Sequence, residues 1–471
     1  MTMTMVMVMS TSDTRRGNVR PGLRIARMIA GAGLWMSACG LVPGIAGTAT
    51  AATGDPRATL SAARPAPEQA APAFERCLSA LRGAALAGGI SAGTYTRATS
   101  GLAPDLGVLD LLDFQPEFRT PIWDYLAGLV DDERIADGKA MLTRWSDVLA
   151  SVQQRFGVDA ATVVAVWGVE SDFGRSQGAR PLLTSLATLS CFGRRQAFFR
   201  GEFISTLRIV QDGHATPDGL VGSWAGAFGH TQFMPSTFLR TAVDFDGDGR
   251  RDVVGSVPDA LASTANYLKR AGWRPGEPWG YEVRLPAGFD VSQAGRRNKR
   301  PLADWTAMGV RRVDPVDRGA VAGEAAAVAG DRGAPKADRG AAPVEPSPGS
   351  PAAVLLPAGA GGPAFLVFRN FDAIYAYNAA ESYALAIAHL SDRLRGAGPL
   401  VARWPTDDPG LSRAERRELQ TLLAQRGHDV GAIDGMIGER SRAAIRAEEQ
   451  RLGVTPSGRA GRVILERLRA R

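Results

Sequence analysis

Lysine is nearly missing: of 55 basic residues only Lys139, Lys269, Lys299 and Lys336 are lysines, and the rest are arginines. Set against 48 acidic residues the formal charge is +7. A basic set so skewed to arginine is what a genome-wide codon bias produces, so the charge does not argue for nucleic acid. It favours loose association with a polyanion, of which bacterial cell wall is one candidate. Cysteine is scarcer still. Cys39, Cys77 and Cys191 are too few for a disulfide scaffold and lack metal-ligand spacing. Beyond the first 50 residues no run is apolar enough to span a bilayer. At 45% hydrophobic and 22% charged, the chain is neither wholly disordered nor collagen-like, and 471 residues allow two or more domains.

The amino terminus reads as an export signal. Arg15, Arg16, Arg20, Arg24 and Arg27, with Asp13 as the single acid, precede an apolar Gly/Ala-rich run from Met28 to about Ala46. Two endings compete. Ala49-Thr50-Ala51 offers the small residues a signal peptidase accepts and is favoured, giving a signal peptide over 1–51. Met36-Ser37-Ala38-Cys39 is an imperfect lipobox, with Met where Leu is usual, and would make an outer-membrane lipoprotein anchored through Cys39. Either way the mature chain is expected in the periplasm. There Cys77 and Cys191 can form a disulfide, with two buried free thiols as the alternative.

Along the mature chain the expected fold class is mainly α with a small β-containing subdomain and a small three-helix C-terminal domain. Residues 52–72 are Ala/Pro-rich and read as a linker. Amphipathic helical patterns dominate from Phe74 to about Val313 and resume from Asn370 to Leu394, within one domain over 73–395. Trp279 to Leu285 alternates like a strand, and Ala364 to Phe368 is a second strand-type run. Residues 314–363, nearly all Ala, Gly, Pro, Val, Asp and Arg, repeat Asp-Arg-Gly-Ala three times and read as a low-complexity, disordered insertion. A Pro/Asp linker over 396–409 leads to a separate unit over 410–471.

The segment Asp159 to Gly174 carries the most chemistry. Asp159 is a predicted N-cap and Gly174 a predicted stop, so Glu170 falls in the last turn of an apolar helix. Val163, Val166, Trp167 and Phe173 share its face. A carboxyl in such company loses hydration, its pKa rises, and it stays protonated near neutral pH, as a general acid must. A structural glutamate paired with a buried arginine fits the same segment. Asp172 points roughly 200° away on the helix, at ~100° per residue, and is a poor partner for the same bond. Farther on, Gly222 to Phe238 interleaves small and aromatic residues, which lets backbone approach a sugar face while Ser223 and Gln232 hydrogen-bond to it.

Several motifs in order carry a resemblance: Val169-Glu170-Ser171-Asp172-Phe173-Gly174, Gly193-Arg194-Arg195, Gly226-Ala227-Phe228-Gly229-His230-Thr231-Gln232-Phe233-Met234-Pro235-Ser236, Gln115-Pro116-Glu117-Phe118 and Asn370-Phe371-Asp372-Ala373-Ile374. Together they resemble the lytic murein transglycosylase B family over about Phe74 to Leu394, apart from the low-complexity stretch. The resemblance implies a lysozyme-like helical core acting on peptidoglycan glycan strands, with Glu170 as the catalytic acid. It also implies substrate-lining roles for Ser223, Gln232, Tyr267, Tyr377, Asn378 and Tyr383, and for Arg194 and Arg195. Under it, Glu170 protonates the glycosidic oxygen between N-acetylmuramic acid (NAM) and N-acetylglucosamine (NAG), then takes the proton of the muramoyl C6 hydroxyl as that hydroxyl attacks the anomeric carbon. A 1,6-anhydro end results, with the 2-acetamido group assisting where an ordinary glycosidase uses a second carboxylate. No cofactor is needed for this chemistry, and a monomer is expected. The rivals are a hydrolytic muramidase and a non-catalytic wall-binding scaffold.

Two further features complete the reading. Asp244, Asp246, Asp248 and the Arg250 carbonyl occupy positions 1, 3, 5 and 7 of an EF-hand-like loop, but position 12 is Gly255 in place of Glu. The resemblance implies a calcium site here with its closing acid further along, for which Asp259 is the expected residue; the role is that of a structural Ca2+, with a solvated Asp/Gly turn as the alternative. Leu411 to Arg471 resembles a peptidoglycan-binding module, departing from it at Glu448-Glu449-Gln450 where an aromatic is usual before Gln.

Overall fold

The computed structural model describes residues 66–112, 120–313 and 345–470. The export segment with Cys39, residues 52–65 of the linker, the Gln115 to Phe118 motif and residues 314–344 lie outside the described residues.

Helices dominate, and the helix Ala160–Ser171 lies at their centre, with every residue from Ala161 to Ser171 buried. A helix apolar all round has no face for water and must be wrapped. Helices Glu381–Leu394, Asp132–Arg144 and Val257–Arg270 pack around it. Asp159 caps its start, accepting from Thr162 N at 3.0 Å. At the far end the chain reverses earlier than the glycine predicts: Asp172 (φ 51°) and Phe173 (φ 58°) are already left-handed. Gly174 answers a different need, because a Cβ there would lie 2.2 Å from His230 Cε1.

The β-containing subdomain is an antiparallel five-stranded sheet in the order Arg300–Pro301, Pro351–Leu355, Ala364–Val367, Gly280–Arg284, Arg311–Arg312. It has a core of its own around Val283, Trp305, Val354, Leu366 and Phe368. The strand Pro351–Leu355 corrects the expected insertion. Residues 345–363 are ordered, and Ala352 to Leu355 are buried in the interior of the sheet. A run of Ala, Val and Leu is what a strand covered on both faces looks like, and composition alone cannot tell it from low complexity. The linker before residue 73 is corrected in the same way. Helix Pro67–Ala87 begins inside it, because Pro67 suits the first helical turn and alanine is the best helix former.

The C-terminal unit folds as three helices, Arg413–Gln425, Glu439–Arg451 and Arg462–Arg469, around Leu419, Leu423, Ile445 and Leu465. Glu448 and Glu449, where the resemblance departs, are buried and used internally. Glu448 pairs with His428 at 2.8 Å and with Arg451, while Glu449 accepts from Ser457 N and Gly458 N. Arginines join this unit to the helical core. Arg459 grips Asp124 through two bonds of 2.6 and 2.7 Å, Arg413 reaches Asp172 at 3.3 Å, and Arg417 pairs with Glu133. Residues 396–409 are also anchored: buried Glu282 accepts from Val401 N and Ala402 N.

Of the two thiol readings left open, the structure holds the disulfide. Cys77–Cys191 ties the first helix to helix Leu182–Phe192 across a sequence separation of 114. Closing so long a loop restricts the unfolded chain strongly. The paired substitution Cys77→Ser/Cys191→Ser is expected to cost up to about 5 kcal/mol in the chain-entropy account, read as a lower denaturant midpoint with a steeper slope, because the unfolded chain without the crosslink exposes more surface.

Candidate active site

Glu170 sits in the last turn of the central helix, 6% exposed. Tyr383, fully buried on helix Glu381–Leu394, donates its hydroxyl to Glu170 Oε1 at 2.5 Å. Burial pushes the Glu170 carboxyl up to about 8, and the Tyr383 bond, which favours the anion, offsets only part of this. Asp172 has the opposite fate. Burial raises it, but Arg175, Arg134 and Arg413 outweigh that and hold it below its ordinary value. Two carboxyls two residues apart are thus driven to opposite protonation states, one an acid and one a fixed anion.

A pocket opens at Glu170, and among the described residues that line it Glu170 is the single carboxylate. One wall is aromatic. The rings of Tyr267 and Tyr377 stand 4.6 Å apart between centroids, and Phe233 lies 5.8 and 5.7 Å from them. Both phenols are committed to backbone, Tyr267 donating to Ala376 O at 2.6 Å and Tyr377 to Thr231 O at 2.8 Å. With both hydroxyls engaged, the wall offers the pocket aromatic carbon rather than free phenols, a surface against which a sugar's C–H groups pack. Two amides supply the polar contacts. Gln232 donates Nε2 to Gln177 O and Gly229 O, which leaves Oε1 without a partner, and Asn378 Nδ2 is likewise unsatisfied. A buried free acceptor and a buried free donor on one pocket wall match a ligand carrying both an N–H and a C=O.

The structure brings Glu170, Gln232, Tyr267, Tyr377 and Asn378 together on this pocket, with Tyr383 behind Glu170. It does not bring the other three there. Ser223 is buried in a turn, its Oγ accepting from Ala227 N at 3.0 Å and its N donating to Ala227 O. Arg194 is exposed and donates to Leu112 O, and Arg195 lies over the Phe198 ring at 4.5 Å. Phe233, Met234 and Thr237 line the pocket although only their neighbours were singled out. Behind them Glu202 accepts from Ser236 N and Oγ, which fixes the start of helix Pro235–Thr241. His230 ties this segment to the Glu170 helix: Trp167 Nε1 donates to His230 Nδ1 at 3.0 Å, and Ser171 Oγ donates to His230 O at 2.8 Å. Burial lowers the His230 pKa, keeping the ring neutral as that acceptor role requires.

Of the five expected metal-loop positions, the carboxylates of Asp244, Asp246 and Asp259 converge, with oxygens within 4.8 Å of one another. Asp248 stands outside that group, its Oδ1 accepting from Arg250 N. Fully buried Asp259 braces the loop by accepting from Phe245 N at 2.7 Å and Asp252 N at 2.7 Å. Three converging carboxylates suit a hard divalent cation.

Residues 73–392 match the family model described as the transglycosylase SLT domain. The chain belongs to this family. Residues 412–468 match a second model, the putative peptidoglycan binding domain. Among curated relatives, membrane-bound lytic murein transglycosylase B of Escherichia coli K12 is 35% identical over 203 residues, which is 40% of this chain and 56% of that protein. The chain thus spans little more than half the length of that relative. Among solved structures, SltB3 of Pseudomonas aeruginosa, in complex with NAG-anhNAM-pentapeptide, is 46% identical, covering 84% of this chain and 99% of its own, with a TM-score of 0.63. Slt35 of Escherichia coli, solved with calcium, is 26% identical over 69% of this chain and 94% of its own, with a TM-score of 0.54. The fold expected from sequence, a helical family core with a small sheet, agrees with these relatives.

The buried carboxyl has a thermodynamic signature. Its folded pKa of about 8 lies above the ordinary value of 4.5, so the folded state binds more protons between these limits and stability falls as pH rises through them. Glu170→Gln removes that dependence. The variant is expected to be more stable than the wild type by an increment that grows from pH 5 to pH 8 and reaches roughly 1–4 kcal/mol, read from thermal midpoints across pH.

Proposed function

We propose that the protein is an exported lytic transglycosylase that cleaves the NAM–NAG β-1,4 bond of peptidoglycan and leaves a 1,6-anhydromuramoyl end. The observation that carries this reading is Glu170, kept protonated by burial, as the one carboxylate among the described residues that line the pocket. A hydrolase of the usual kind needs two acids across the scissile bond. One acid suffices when the nucleophile is part of the substrate and is already in place. Glu170 gives its proton to the glycosidic oxygen as the C1–O bond breaks. The carboxylate so formed, steadied by the Tyr383 hydroxyl, accepts the C6 hydroxyl proton as O6 bonds to C1, and Glu170 returns to its starting state. The free Gln232 Oε1 and Asn378 Nδ2 fit the N–H and C=O of an acetamido group. SltB3 binds a NAG-anhNAM-pentapeptide, a fragment with such an anhydro end.

Around this reaction the reading places the mature protein in the periplasm, as a monomer, with the C-terminal unit holding the same polymer. No described helix is long and apolar enough to cross a membrane. A calcium ion between Asp244, Asp246 and Asp259 would have a structural role, since nothing in that loop polarises a sugar bond. Slt35, solved with calcium, supports that role.

Product mass decides between transglycosylation and hydrolysis. Digests of purified sacculi are expected to contain fragments about 18 mass units lighter than hydrolytic ones, one water per cut, and Glu170→Gln is expected to release none; wild-type products of the heavier mass would overturn the reading. Calcium at about 100 times its dissociation constant is expected to add roughly 2.7 kcal/mol of stability, seen as a raised thermal midpoint that chelation or Asp246→Asn abolishes.

A further inference from the structure

Apart from the Glu170 pocket, the described residues form a second, larger cavity of about 510 Å³ between the sheet and the start of helix Arg369–Asn378. Its lining is charged. Arg274, Lys299 and Arg369 supply three cations, and Glu277 and Asp372 two carboxylates, and Ser347 and Ser350 also line it. The cations are incompletely used. Lys299 Nζ is buried and lies 3.0 Å from Asp372 Oδ2, yet it makes no well-directed hydrogen bond. Asp372 is also held by Arg296 at 3.0 Å, so it does not depend on Lys299. Arg274 meets Glu277 only at 3.8 Å, and Arg369 uses its Nε on Gly272 O. An ammonium with three donors and one poorly aimed acceptor favours a further anionic oxygen.

One helix links the two cavities. Arg369 and Asp372 line the charged one, and Tyr377 and Asn378 near the same helix's end line the Glu170 pocket. Nine residues at ~1.5 Å each separate Arg369 from Asn378 by about 14 Å along the axis. An extended five-residue peptide spans up to about 17 Å. We propose that the charged cavity binds the carboxylate-bearing stem peptide of the muramoyl residue whose sugar occupies the Glu170 pocket. Lys299 and Arg369 take peptide carboxylates, and Glu277 faces an ammonium on the same stem. This assignment rests on the proposed function for the identity of the substrate and goes beyond it in giving the peptide a site.

Calorimetry on the non-cleaving Glu170→Gln protein tests it, with NAG-NAM-pentapeptide and peptide-free NAG-NAM as the two probes. The pentapeptide probe is expected to bind more tightly. Adding Lys299→Ala and Arg369→Ala is expected to weaken it roughly tenfold or more while leaving peptide-free NAG-NAM unchanged; Lys299→Arg is expected to retain most of the preference. A double variant that folds to the same thermal midpoint and keeps the full preference overturns the proposal. So does an equal loss for both probes, which would mark a general defect of the sugar pocket. Failure of the sugar reading looks different: peptide-free NAG-NAM then binds neither protein, and the pentapeptide probe still reports on the charged cavity alone.

Discussion

The constraint on which the rest depends is the burial of one carboxyl on a helix that has no polar side. Had helix Ala160–Ser171 kept a solvent face, Glu170 would ionise near its ordinary value and have no proton to give at neutral pH. Wrapping that helix fixes the fold. Its neighbours must come from distant parts of the chain, and they bring Tyr383 behind the carboxyl and Tyr267 in front of it. Asp172 shows the cost of the alternative. Only two residues on, it meets three arginines and stays charged.

Much of this was legible in the sequence because it is local. The Asp159 cap, the unbroken apolar run and the position of Glu170 in the last turn follow from spacing alone. The pocket wall is not local. Tyr267, Tyr377 and Asn378 lie about 100 to 200 residues from Glu170, and no periodicity connects them; the family resemblance did. It also assigned Ser223, Arg194 and Arg195 to the wall, where the structure instead gives a turn and two exposed side chains. Glu202 and the docking arginines were missed for a physical reason. A single acid on an amphipathic helix, or a few arginines among 51, carries no pattern until partners are known.

The errors of segmentation share one cause. Alanine-rich composition suits a linker or disorder, yet alanine is also the best helix former, and Ala352 and Ala353 are fully buried in a strand once a sheet surrounds them. Pro67 to Ala87 forms a helix, and Pro351 to Leu355 lies inside the sheet. Composition reports which residues are present but not whether a partner surface awaits them.

The joint between the C-terminal helices and the family core is made by charge, while each side keeps a separate apolar interior. The joining pairs are largely buried, Arg413 and Asp172 at 15% and 22% exposure and Arg459 and Asp124 at 26% and 16%, so dissolved salt screens them less than it screens surface pairs. Truncating either partner would strand a charge away from water, so the seam is sensitive to substitution rather than to ionic strength.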